Sequence, residues 1–439
     1  MKLRMKKLAI CLLLVTAAAT PAFAQLRLTI TEGVTDPIPI AVVPFARAVP
    51  ADGGLDVAEV IQRDLESTGR FKGMPRNDMV FKPTTAAEVD APGWKQQRND
   101  YVVVGRVSAL ANGQVRIDAE LVNVLTGQRI SGPYAIAPAS NLRNGAHRIA
   151  DVLYEKIIGV KGAFATRIAY VSVDGKPPTQ RYELFVADSD GANRVRILAS
   201  PLPIMSPAWS PDGEWLAYVS FERRVSAIYV QHRRSGKKTM VSARAGINGA
   251  PSYSPDGKKL AITLSGSSGN LDVYLLELAS GQLTRLTDDP GIDTEAVMSI
   301  DGAVYFTSDR SGAPQIYRVS PGSSERPKRV TFTGSYNARP RISPDGKQLA
   351  MITLDQGAYR IALQDLSNGT VQVLSKGRQE ESPSFAPNGA MLIFAGRERG
   401  QGVLQTVSVD GQVSARLDAD AGEVREPVWG PFLPSTIQP

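Results

Sequence analysis

Cysteine occurs once in the 439 residues, at Cys11, and histidine only twice, at His147 and His232. One thiol excludes a disulfide framework, and a chain this long buries a core that does not need one. Two histidines without partners at metal-ligand spacing exclude the usual zinc signatures. His147 sits between Asn144 and Arg148 on a helical pattern and reads as part of a solvated face. There is no Gly-x-Ser-x-Gly elbow, phosphate loop or dinucleotide fingerprint. Gly266-Ser267-Ser268-Gly269 is one residue short of the elbow and reads as a turn. Excess charge is also scarce: four of the 50 basic residues fall in the first seven positions, so the formal +7 drops to +3 without them. No block of Lys and Arg is interleaved with aromatics, and no nucleic-acid partner is expected.

Long apolar runs are confined to the start. Lys2, Arg4, Lys6 and Lys7 precede the apolar stretch 8–15, and Ala22-Phe23-Ala24 is a small-x-small cleavage site. This is a secretory signal over 1–24, cut between Ala24 and Gln25. The run is too short for a spanning helix. Cys11 follows Ile10 inside it, unlike a lipoprotein acceptor, so the mature chain is expected to be a thiol-free, soluble protein of the periplasm.

What is abundant is repetition. SPAWSPDGEWLAYVS begins at Ser206, APSYSPDGKKLAITLS at Ala250, EAVMSIDGAVYFTSDR at Glu295, RPRISPDGKQLAMIT at Arg339 and SPSFAPNGAMLIFAG at Ser382; a truncated EPVWGPFL begins at Glu426. The turn-entry residues Pro211, Pro255, Ile300, Pro344, Pro387 and Pro431 step by 44, 45, 44, 43 and 44. Proline presets φ for each turn and glycine supplies positive φ. Asp212, Asp256, Asp301 and Asp345 are read as turn formers rather than metal ligands, so no cofactor is expected and a cation on the channel axis is not predicted. Four short strands per period of about 44 residues is one propeller blade. Segments at 168, 216, 260, 304, 349 and 392 count six second strands, the first without an entry strand and the last entry strand without a successor. The fold expected is an all-β six-bladed propeller over 161–439, its C-terminal strand completing the first sheet. A propeller-linked serine hydrolase would need a catalytic triad that the chain lacks. A sugar-binding rim would want more aromatics than Trp94, Trp209, Trp215 and Trp429.

Residues 34–160 read as a small α/β domain. Ile40 to Phe45 form a buried strand. Leu55, Ala58, Ile61 and Leu65 recur at helical spacing with Gly69 as the cap. Asn112-Gly113 marks a two-residue hairpin, Leu142 to Ile157 a second helix, and 82–98, with Pro83, Pro92 and Gly93, a loop or irregular connection. Before this domain, Leu26, Leu28 and Ile30 alternate with Arg27, Thr29 and Thr31. That strand suits either an edge of its own domain or addition to a partner's sheet.

The segments KGAFATRIAYV (161–171), MSPAWSPDGEWLAYVSFE (205–222), NGAPSYSPDGKKLA (248–261), LASGQLTRLTD (278–288) and QDLSNGTVQVLS (364–375) resemble the TolB family, periplasmic components of the Tol–Pal envelope system. The resemblance spans the mature chain and implies a monomeric binding protein rather than an enzyme. In that family the propeller face opposite the N-terminal domain receives the peptidoglycan-associated lipoprotein Pal, which makes the protein peripheral to the outer membrane. The N-terminal segment, the TolA box, binds the C-terminal domain of TolA. The implied role is in outer-membrane integrity and in envelope constriction at cell division. Carried over, the box spans Gln25 to Gly33, with Gln25, Leu26, Arg27, Leu28, Thr29, Ile30 and Thr31 as contacts. The Pal face includes Asn248, Gly249, Ala250, Thr294 and Glu295, with Met205 and Ser206 at the same edge of another blade. Ile247 departs from the histidine that family members often carry there, and Gln25 and Leu26 depart from familiar box sequences. The alternative reading is a ligand- or sugar-binding propeller without Pal.

Overall fold

The computed structural model describes residues 27–47, 55–266, 269–418 and 422–433. Residues 1–26 lie outside the described residues, and with them Ala24, Gln25, Leu26 and the expected signal segment.

The N-terminal domain is a mixed sheet in the order Phe71–Gly73, Ile38–Val42, Tyr101–Ala109, Gln114–Asn123, Gln128–Ser131, with Ala46–Arg47 and Tyr134–Pro138 attached to the two central strands. Ile38–Val42 pairs in parallel with both Phe71–Gly73 and Tyr101–Ala109, while Tyr101–Ala109 pairs antiparallel with Gln114–Asn123. Helix α1 (Val57–Ser67) starts where Asp56 accepts the Glu59 amide at 3.2 Å. Val57, Ala58, Ile61 and Leu65 then form the apolar stripe that packs on the sheet. The helix ends at Thr68, and Gly69 at φ 63 donates its amide to Glu66. The opposite face is covered by a six-residue helix, α2 (Ala91–Gln96), which drives Trp94 into a second core with Val102 and Val104. The stretch 82–98 is therefore not a plain loop. Its prolines break the apolar period, and Pro83 and Trp94 are the residues it buries. The hairpin at Asn112-Gly113 turns through three residues, Ala111–Gly113, with both Asn112 and Gly113 at positive φ. Helix α3 (Leu142–Ile158) packs beside α1.

Six four-stranded blades follow. The second strands, from Arg167–Asp174 through Met391–Glu398, are buried on both faces. Alternation sends successive side chains to opposite neighbours: Ala169 and Val171 face the second blade, while Ile168 and Tyr170 face the sixth. Each of the six blade-to-blade contacts has its own apolar cluster. The turns between first and second strands work as read: Ser254 Oγ donates to Asp256 at 2.6 Å, and Asp256 accepts the Lys258 amide at 3.1 Å. Glu423–Trp429 pairs antiparallel with Arg167–Asp174 as the innermost strand of the first blade, so the C-terminal strand closes the ring.

The N-terminal strand β1 (Arg27–Glu32) belongs to neither sheet proposed from sequence. It adds antiparallel to Ser414–Asp418 and becomes a fifth strand on the outer edge of the sixth blade. No helix among the described residues is long and apolar enough to cross a membrane.

Candidate functional site

Each innermost strand carries one residue in the left-handed region: Ser206, Ala250, Glu295, Arg339, Ser382 and Glu426, at φ between 45 and 56. The register with the neighbouring strand shifts at each of these places, for example between Gly249 and Ser252 and between Thr294 and Val297. These are β-bulges, one per blade, and they turn six side chains and their amides toward the central channel. None of the six is glycine, so each bulge is held by its surroundings against a local conformational cost.

Hydrogen bonds within and between neighbouring blades supply that hold at five of the six, all but Ala250. The Glu295 carboxylate accepts from the Arg339 amide at 3.1 Å, from Arg339 Nε at 2.7 Å and from the Thr307 hydroxyl at 3.1 Å. Arg339 reaches on to the Ser382 hydroxyl, and Glu426 accepts the Ser206 amide. Burial pushes the Glu426 carboxyl up, with Arg339 pulling against it. Burial draws Arg341 down to about 10, helped by the neighbouring Arg339 charge. The channel widens into a cavity of about 520 Å³ beside Glu295, Arg339, Glu381 and Arg425. One half of the bulge ring is thus charged, while Ser206 and Ala250 offer only a hydroxyl and a methyl.

Around the channel mouth lie exposed apolar side chains. Ile247 (50% exposed), Ile292 (47%) and Phe332 (75%) stand on successive loops between blades, with Met205 and Val225 beyond them. These loops are on the face away from the N-terminal domain, which contacts the opposite turns: Asn388 Nδ2 donates to the Lys161 carbonyl, and Arg70 pairs with Asp410. Of the residues named from sequence, Met205 is exposed there and Gly249, Ala250, Thr294, Glu295 and Ser206 are half-buried on the bulges. Asn248 is wholly buried; it accepts from the Ser242 hydroxyl at 2.7 Å and the Arg244 amide at 2.9 Å, and so braces the loop that presents Ile247. Ile292 and Phe332 escaped the sequence reading because an apolar residue in a loop looks like any other until the loops are gathered into one rim.

Strand β1 is held along one edge only, by its pairing with Ser414–Asp418. Leu28 packs against the core between the first and sixth blades, while Thr29, Ile30 and Thr31 are exposed. Thr31 donates to the Ser414 carbonyl and Glu32 pairs with Lys376.

His147 overturns its sequence reading. It is 1% exposed, and its Nδ1 lies 2.7 Å from Asp64 Oδ2 on α1. Docking of the propeller against α3 covers a helix face that looks polar in the sequence.

Comparison with known proteins gives concordant results. Residues 26–130 match the model of the TolB amino-terminal domain, and residues 154–433 match that of the TolB beta propeller domain. The chain is 47% identical over 440 residues to the Tol-Pal system protein TolB of Xanthomonas campestris pv. campestris (strain B100), covering 98% of this chain and 99% of that one. It is 46% identical over 431 residues to the namesake in Xanthomonas oryzae pv. oryzae (strain PXO99A), covering 97% of each. A crystal structure of TolB from Acinetobacter baumannii superposes with a TM-score of 0.85 at 39% identity, covering 93% of this chain and all of that one.

Proposed function

We infer the role of this chain from one premise: it belongs to the TolB family of Tol–Pal system proteins. The reading is that of an exported periplasmic protein that acts by binding rather than by catalysis. It links Pal, received on the rim, to TolA, engaged by residues 25–33, and so supports outer-membrane integrity and constriction at division. The observation that carries this reading is the apolar half-ring of Ile247, Ile292 and Phe332 around a polar channel mouth. Exposed apolar residues gathered in one place and rimmed by polar groups mark a protein-binding surface. The edge position of β1 supports the second half. It already makes an edge-strand pairing, and the same backbone groups could pair with another sheet instead. Pal on the rim would then change the fraction of β1 that is free.

Titration calorimetry tests this directly. The mature protein is expected to bind Pal, and the double variant Thr294→Arg, Ala250→Arg to lose at least about a hundredfold in affinity, because bulky charges would sit on two bulges at the mouth. A folded wild-type protein that ignores Pal would sink the reading and redirect the search to small-molecule or sugar ligands. Equal TolA affinity with and without Pal would sink the linkage alone.

A further inference from the structure

The KGAFATRIAYV segment joins the domains, and the structure gives it a tight joint rather than a loose linker. Asp151 on α3 accepts the Phe164 amide at 2.7 Å and the Ala165 amide at 3.2 Å. Gly162 lies so close to Asp151 that a Cβ there would come within 2.6 Å of its Cα. The Trp429 indole on the closing strand donates to the Thr166 hydroxyl at 2.9 Å.

His147 stands beside this segment, between the domains. Its Nδ1 meets Asp64 of α1, and its Nε2 is buried without a hydrogen-bond partner, 3.9 Å from Asp190 Oδ2 in the turn after Arg181–Asp188 of the first blade. A neutral imidazole has one N–H and one lone pair. Whichever nitrogen carries the proton, the other would point a lone pair at a carboxylate. While both carboxylates are charged, only the imidazolium suits both sides; burial pushes Asp64 up as well, with His147 pulling against it, so the buried pair as a whole favours holding a proton.

The charged groups facing this ring are Asp64 from α1, Arg143 and Asp151 from α3, Asp188 and Asp190 from the blade turn, and Arg167 from the adjoining strand. Arg143 also pairs with Asp190.

We propose that this joint is a proton-dependent clamp: protonated His147 ties the N-terminal domain to the propeller, and loss of the proton loosens α1 and frees β1. The route from joint to strand is short. One turn beyond Asp64, Gly69 meets Val413 of the sixth blade, and its carbonyl accepts the Val34 amide just after β1 at 3.2 Å. Between these contacts lies a cavity of about 280 Å³ bounded by Leu28, Asp64, Thr68, Asp190 and Trp429, which gives α1 room to shift.

The sign follows from the shifts. Burial pulls His147 down, but Asp64, Asp190 and Asp188 outweigh it and hold it at about 9, above 6.5. Burial pushes Asp151 up to about 7 from 3.8, against its two amide donors. Both groups hold their protons more firmly in the folded, joined protein than in the unfolded chain. The His147 contribution is complete below pH 6.5 and is lost as pH rises through about 9; that of Asp151 is complete below 3.8 and is lost through about 7. The span from 6.5 to about 9 corresponds to roughly a few hundred-fold for the whole folded surroundings of His147; Asp64 supplies the larger part within the N-terminal domain, and Asp190 and Asp188 supply the part that belongs to the joint. That freed β1 meets a partner rests on the reading above; the loosening does not.

The test needs no partner. The mature chain has no thiol, so Thr29→Cys carries a single nitroxide on an exposed β1 position. Its spectrum is expected to be immobilised at pH 6 and mobile at pH 10, with a midpoint near 9. His147→Gln should flatten the transition, and Asp190→Asn should lower its midpoint by about one unit. If His147→Gln does not fold, Asp190→Asn decides. A label equally immobile from pH 6 to 10 in a folded protein, or a midpoint that Asp190→Asn leaves in place, overturns the proposal.

Discussion

Phe332 leaves three-quarters of its surface in water, which costs the free protein little and leaves a large apolar group for a partner to bury. Phe332→Ala should therefore leave thermal stability within about 0.5 kcal/mol while weakening Pal binding by at least about tenfold, as the loss of a central aromatic anchor does. Equal affinity in calorimetry would remove Phe332 from the interface. Asn248 is the converse case. Asn248→Ala strands the Ser242 hydroxyl and the Arg244 amide in a buried place, so unfolding measurements should show a loss of about 1–3 kcal/mol. Any effect on Pal would then be indirect, through the loop that carries Ile247. Sequence reading treated Asn248 as a surface contact. Whether an asparagine faces a partner or its own loop depends on how residues 243–247 fold back, and no spacing rule reports that.

The strands were the most legible part. A period near 44 with a Pro-Asp-Gly or Pro-Asn-Gly turn fixes where each blade begins, and the unmatched half-blades at 168 and 427 imply a shared first blade. Truncating the chain after Asp418 removes the innermost strand of that blade and uncovers Ala169 and Ile168, which pair with Val428 and Trp429. The propeller's calorimetric transition should vanish; a melt like that of the full chain would refute strand closure. The site of β1 was not legible, because its pairing partner, Ser414–Asp418, is remote in sequence and presents an ordinary edge. Alternation in 26–31 predicts a strand but says nothing about whose sheet it joins. Helix α2 was missed for a related reason: six residues containing proline and glycine carry no helical period, and only the burial of Trp94 explains why they fold.

At the scale of the whole molecule, the two domains should melt together while His147 is charged. Scanning calorimetry near pH 6 is expected to give one transition, and near pH 10 two, as the clamp is lost and the smaller domain unfolds on its own. Two transitions at both pH values would mean that the domains never shared their stability. The seam in the first blade also sets an order of assembly. Thr166 and Trp429, bonded across it, are 263 positions apart. The first blade is therefore synthesised early and finished late, and its inner edge waits uncovered while the other five are made. Ring formation is thus an event that follows translation rather than accompanies it, and the waiting edge is where a wrong strand has longest to attach.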